Sequence, residues 1–137
     1  MADPLKKARK LIKKGDFEKA AELFLSLGEY NEAIDLLLKS GQTIRAAELL
    51  IETGRADEAI ELYLKKKNIN QALGILKQQG NFFRAAMICK KHKRFREAAA
   101  FFEKSGIISE AARMLYEEND FRRAAEYYLR SNMLQSA

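Results

Sequence analysis

A thirteen-residue unit recurs in this chain without insertion or deletion. Counting from Gly15, further copies begin at Gly28, Gly41, Gly54, Lys67, Gly80, Lys93, Gly106 and Asn119, and another start falls at Asn132. Call the first residue of each unit position 1. Position 6 is alanine in every full copy (Ala20, Ala33, Ala46, Ala59, Ala72, Ala85, Ala98, Ala111 and Ala124) and again at Ala137. Positions 3, 6, 7 and 10 are mostly apolar, as in Phe17, Ala20, Ala21 and Phe24. That is the i, i+3, i+4, i+7 spacing of one helical face. Position 9 is apolar throughout, which widens the stripe beyond what a surface helix needs. Each unit therefore reads as one short helix with a neighbour on either side. The small residue at position 6 allows close helix approach, and the glycine at position 1 ends the helix in a left-handed turn.

A helix of about ten residues is marginal by itself in water. A stack of such helices is stable because each copy covers the next. The predicted fold class is all-α: an α-solenoid of short antiparallel helices, one per thirteen residues, with a right-handed superhelix expected. Gly28, Gly54, Gly80 and Gly106 stand 26 residues apart, while the intervening set drifts through Gly15, Gly41, Lys67, Lys93 and Asn119. This doubled period predicts a 26-residue helical hairpin with two classes of turn. Lysine in the left-handed region costs about 1–2 kcal/mol, so the junctions at Lys67 and Lys93 are expected to use a different turn.

Residues 1–14 precede the first full unit. Asp3 is a good N-cap and Pro4 a good first helical residue. Leu5, Ala8, Leu11 and Ile12 form one narrow apolar stripe, and Lys6, Lys7, Arg9, Lys10, Lys13 and Lys14 cover the rest. This is the pattern of a basic capping helix with a polar outer face. Residues 15–131 are the nine repeats, and 132–137 read as the start of a further one, all within a single domain. After the unit from Asn119, the sequence shows no polar capping helix. That places a core-type face of the last helix beside another subunit or more solenoid. The residues expected to self-associate there are Phe121, Tyr127, Tyr128, Leu129, Met133 and Leu134.

Phe83, Met87 and Tyr116 depart from the core positions. They occupy positions 4, 8 and 11, a helical face that varies from copy to copy. A variable face on a constant core is where a solenoid carries its binding surface, so Phe83, Met87, Lys90 and Tyr116 are candidate partner contacts. A second concentration of charge comprises Lys90, Lys91, His92, Lys93, Arg94 and Arg96, within a net charge of +6. With the first helix it forms a candidate basic patch for nucleic acid or an anionic membrane.

The residues of chemistry are sparse. His92 is the only histidine and Cys89 the only cysteine, and Cys89 falls in a core slot. There is no zinc spacing and no phosphate-binding glycine loop. No catalytic residue, metal ligand or cofactor is expected, and the reading is non-enzymatic. The longest apolar runs are five residues, and the N-terminus lacks the apolar core of a signal peptide. A single cysteine permits no internal disulfide, and a cytoplasmic setting is expected.

Units such as GDFEKAAELFLSL and GRADEAIELYLKK resemble the second-helix half of a tetratricopeptide repeat. They have glycine, an aromatic or small residue two further on, alanine three beyond that, then Leu-Phe or Leu-Tyr. The hairpin of 26 residues is shorter than the tetratricopeptide length of about 34. Compact units of this kind are also similar to the solenoid arms of clathrin-, coatomer- and intraflagellar-transport-type proteins. The resemblance covers residues 15–137 and implies a scaffold for protein assembly, with protein partners and either a homo-oligomer or a larger parent chain.

Overall fold

The computed structural model describes residues 3–136, with side chains described through 133. Ten α-helices and no strands occur among the described residues. They are α1 (Pro4–Lys13), α2 (Phe17–Ser26), α3 (Tyr30–Lys39), α4 (Thr43–Glu52), α5 (Ala56–Lys65), α6 (Ile69–Gln79), α7 (Phe82–Lys91), α8 (Phe95–Lys104), α9 (Ile108–Glu117) and α10 (Phe121–Ser136). The fold is an all-α arrangement of consecutive short helices, one to each thirteen-residue unit.

The backbone explains the period. Position 3 is the first helical residue of every unit from α2 to α10. Position 1 is left-handed at all nine junctions, including Lys67 (φ 62°), Lys93 (φ 59°) and Asn119 (φ 63°). The different turn expected at Lys67 and Lys93 is therefore absent, and there is one class of turn rather than two. At each junction the N–H of position 1 donates to the carbonyl of position 11, and that of position 2 to the carbonyl of position 10. Examples are Gly54 to Ile51 (3.1 Å) with Arg55 to Leu50 (2.7 Å), and Lys93 to Lys90 (3.1 Å) with Arg94 to Cys89 (2.8 Å). This is the Schellman closure. Position 2 then accepts the N–H of the invariant alanine, as in Ala98 to Arg94 (2.9 Å), and so starts the next helix. Two backbone hydrogen bonds, each worth about 1 kcal/mol net, and the register of the following helix outweigh the left-handed penalty on lysine.

The helices group into two units, divided between Ala72 and Leu73 within α6. In the first unit α1 packs on α2, α2 on α3, α3 on α4 and α4 on α5. Asp3 caps α1 by accepting the Leu5 N–H at 3.1 Å, and Ala8 is fully buried. The five cations of α1 and Lys14 at its C-terminal end stay exposed, as a polar cap requires. In the second unit α7 packs on α8, α8 on α9 and α9 on α10.

Positions 6, 7 and 10 form the core. All three are buried in every helix from α2 to α9. Among the described residues the interior contains no polar or charged side chain. Helices one hairpin apart touch through long side chains: Arg45 of α4 to Glu22 of α2, Arg55 to Asn31, and Lys90 of α7 to Glu110 of α9. The 26-residue relation is thus expressed as a side-chain ladder between alternate helices.

α10 breaks the pattern. The turn expected at Asn132 does not form, and the helix runs on to Ser136. The start of a further repeat over 132–137 is replaced, as far as Ser136, by a continuation of α10.

Candidate functional site

α10 is sixteen residues long, about 24 Å. It packs on α9, and Ala124 is buried like the position-6 alanines of α2 through α9. Beside it Ala125 and Tyr128, at positions 7 and 10, are exposed, although the same positions are buried in α2 through α9. Phe121 is 54% exposed, Leu129 64% and Met133 72%. Residues 121, 125, 128, 129, 132 and 133 recur at helical spacing, so these side chains share one face. A face built to the specification of the core stands without a helix against it.

Tyr127 departs from its expected place. It faces α8, where its hydroxyl donates to Glu103 Oε2 at 2.6 Å. Arg130 reaches the other oxygen of Glu103 at 3.2 Å and lies over the Tyr127 ring, 4.9 Å from its centroid. The hydrogen bond from Tyr127 holds the Glu103 carboxyl below its ordinary pKa; burial opposes this, and Arg130 and Arg123 reinforce it. Tyr127 is therefore part of the clamp that fixes α10 to α8 and is removed from the self-association set. Phe121, Tyr128, Leu129 and Met133 remain in it. The Leu134 side chain lies outside the described residues.

The candidate partner contacts separate into two places. Phe83 (50% exposed) and Met87 (43% exposed) lie one turn apart on α7, with the Phe83 ring edge-on to Phe102, centroids 6.3 Å apart. Tyr116 instead stands against Phe121, ring centroids 5.1 Å apart and planes at 68°. Tyr116 thereby extends the α10 face across the α9–α10 junction, a continuity that spacing within one unit does not reveal. Lys90 is not a free cation: its Nζ is 3.4 Å from Glu110. Burial would raise the Glu110 pKa, but the hydrogen bond from Arg113 and the charge of Lys90 outweigh it and hold the carboxyl low.

The basic patch is correspondingly diluted. Arg94 forms a fork with Glu97, with contacts at 2.9 and 2.7 Å, and Arg96 lies 3.4 Å from Glu118. With Lys90, half of the six residues face carboxylates. Lys91, His92 and Lys93 are exposed. Cys89 is fully buried, and burial pushes its thiol pKa up to about 11.

Sequence reasoning expected a core-type face in the unit from Asn119 and did not anticipate two features of α10. Ala125 carries no signal as a site residue, because its exposure follows from the missing neighbour. The contact of Tyr116 with Phe121 could have been found from their short span, five residues across a tight turn. Among the described residues no group of His, Cys, Asp and Glu side chains is arranged to hold a metal, and no helix is long and apolar enough to cross a membrane. Compared with family models, with characterised proteins and with the solved structures, the chain finds no match.

Proposed function

We propose that this chain is a non-enzymatic scaffold of the tetratricopeptide-like α-solenoid kind, working in a cytoplasmic setting. It joins protein chains through the bare face of α10, either as a self-associating segment or as an arm within a larger solenoid. One observation carries the reading: positions 7 and 10 are buried in α2 through α9 and open in α10. A contiguous apolar face of several hundred Å² marks an interaction site more often than idle surface. Phe83 and Met87 on α7 offer a second, smaller contact of the same character. The experiment is sedimentation velocity from micromolar to millimolar concentration, on the wild type and on Leu129→Glu. The scaffold reading expects association that the charged variant removes. A wild type that stays monomeric, with Leu129→Glu indistinguishable from it, would count against the α10 face as a joining surface.

A second reading is supported by α1. Its five cations and the adjoining Lys14 are all exposed, and Asp3 is the only acidic residue in the first fourteen. This favours electrostatic binding of nucleic acid or an anionic membrane. Phosphate contacts of that kind release counterions, so retention on RNA or anionic vesicles should fall steeply with salt and be lost when Lys6, Lys10 and Lys13 are replaced by glutamine.

A further inference from the structure

Resting on the reading of α10 as a joining surface, we infer that its occupant is α10 of a second copy, laid antiparallel across a two-fold axis to give a closed dimer.

Two other modes of self-association fail on charge. Head-to-tail pairing would set α10 against the outer face of α1 in the next copy. That face carries Lys6, Lys7, Arg9, Lys10, Lys13 and Lys14, all exposed, and Arg122 stands beside the bare face of α10. The apolar surface of Phe121, Leu129 and Met133 would be covered by lysine, and Arg122 would meet like charge. Such a contact cannot propagate a filament. A parallel α10 pair fails similarly, because it sets Arg122, beside the bare face, on its own counterpart and aligns the two helix dipoles. The antiparallel pair opposes the dipoles and staggers the arginines. Centred near Tyr127, it sets Phe121 of one copy against Met133 of the other, Ala125 against Leu129, and Arg122 against Asn132. The small Ala125 lets the helices approach.

The continuation of α10 through Asn132 supports the same arrangement. A turn there, as at the nine earlier junctions, would end the helix before Met133. The straight helix instead carries Met133, 72% exposed, on the line of Phe121 and Ala125 and gives the face two matching ends.

The area is sufficient for a weak dimer. Tyr116, Phe121, Tyr128, Leu129 and Met133 each leave roughly half of their surface open, on the order of 100 Å² apiece. Two such faces together reach about 1,000 Å², the lower bound for a specific interface. The dimer is expected to form with a Kd on the order of ten micromolar rather than nanomolar.

The test combines mass with cross-linking. Sedimentation equilibrium across a concentration series should rise from the 15.7 kDa chain and level off at twice that mass. Leu129→Glu should weaken the dimer at least tenfold with helicity unchanged, while Met87→Glu on α7 should leave it intact. The double variant Phe121→Cys with Met133→Cys should oxidise to a covalent dimer, and neither single variant should. The two cysteines sit about 18 Å apart on one helix, too far to bridge within a copy. Mass that climbs past the dimer would overturn the closed arrangement. Cross-linking by Phe121→Cys alone would overturn the antiparallel one. A dimer indifferent to Leu129→Glu would move the interface elsewhere. These three outcomes leave a scaffold that associates in another way. A chain monomeric throughout would remove both this inference and the joining role of α10 on which it rests.

Discussion

At the scale of single residues, the informative positions are those where the turn and the side chain disagree. Lys67 and Lys93 hold left-handed backbone that six glycines elsewhere hold without a Cβ penalty. Lys93→Gly relieves that strain, and no Cβ is needed in its exposed turn. It should raise stability by about 0.5–1 kcal/mol, the left-handed penalty less the extra entropy of glycine. Gly54→Ala should cost about 1–2 kcal/mol for the same reason reversed. Its φ is +79°, although an added Cβ would meet nothing within 4 Å, so the effect is conformational rather than steric. Gly74 is the opposite case. It lies inside α6 with no left-handed backbone and open space around it. Gly74→Ala should therefore stabilise by about 0.5–1 kcal/mol. Urea titration of the three variants, read at the midpoint with the slope unchanged, checks all of them. Cys89 supplies an internal reporter in the same experiments. Being fully buried with a thiol pKa of about 11, it should resist alkylation at neutral pH in the folded chain and react at the rate at which α7 opens.

At the scale of helices, the clamp on α10 is the element with a distinct solution signature. Glu103 has a lowered pKa in the folded state, caused first by the hydrogen bond from Tyr127. The unfolded state binds the proton more readily, so this contribution is fully present above the unfolded value of about 4.3. It is lost as pH falls through the lower folded value. Glu103→Gln should consequently destabilise the chain at pH 6 and do so less and less as pH drops below about 4. The comparison of wild type and variant by urea titration at several pH values cancels Glu58 and Glu110, whose carboxyls are also held low. A variant whose cost is the same at every pH would mean that Glu103 acts by packing alone. The helix scale was also the most legible in the sequence. Ten helices, one to a unit with a cap before them, follow from periodicity and the placement of glycine. The apolar stripe read from sequence also took in positions 3 and 9, which are buried in only some of the helices, while 6, 7 and 10 are buried from α2 to α9. The turns at Lys67 and Lys93 were not legible, because residue propensity weighs one residue while the junction is decided by two backbone bonds and the helix that follows. The inward turn of Tyr127 and the pairing of Lys90 with Glu110 were hidden for a related reason. They join helices 20–24 residues apart, and nothing in a thirteen-residue pattern states which long side chains will meet.

At the scale of the molecule, a repeat makes stability a sum of units and the interfaces between neighbours. The bare face is then a property of any helix without a neighbour on that side, while the charged clamp and the run through Asn132 belong to α10 itself. Ending the chain at Glu118 separates these contributions. The shortened chain loses α10 and uncovers Ala112 and Leu115 of α9, which are fully or almost fully buried when α10 is present. Helicity per remaining residue should be unchanged, since α7, α8 and α9 keep one another as neighbours. Stability should fall by about 1–2 kcal/mol, the share of some sixteen residues at a typical 0.05–0.15 kcal/mol each. Circular dichroism with thermal melting reads both quantities. A bundle held by one central core would behave otherwise, because removing any helix opens the whole interior and helicity collapses. Association should also change character. The new terminal face ends at the natural turn after Tyr116 and lacks the extension that carries Met133, so its dimer should be weaker than that of the full chain. If the shortened chain instead associates as strongly, the sticky surface belongs to the repeat in general and the length of α10 contributes nothing to it.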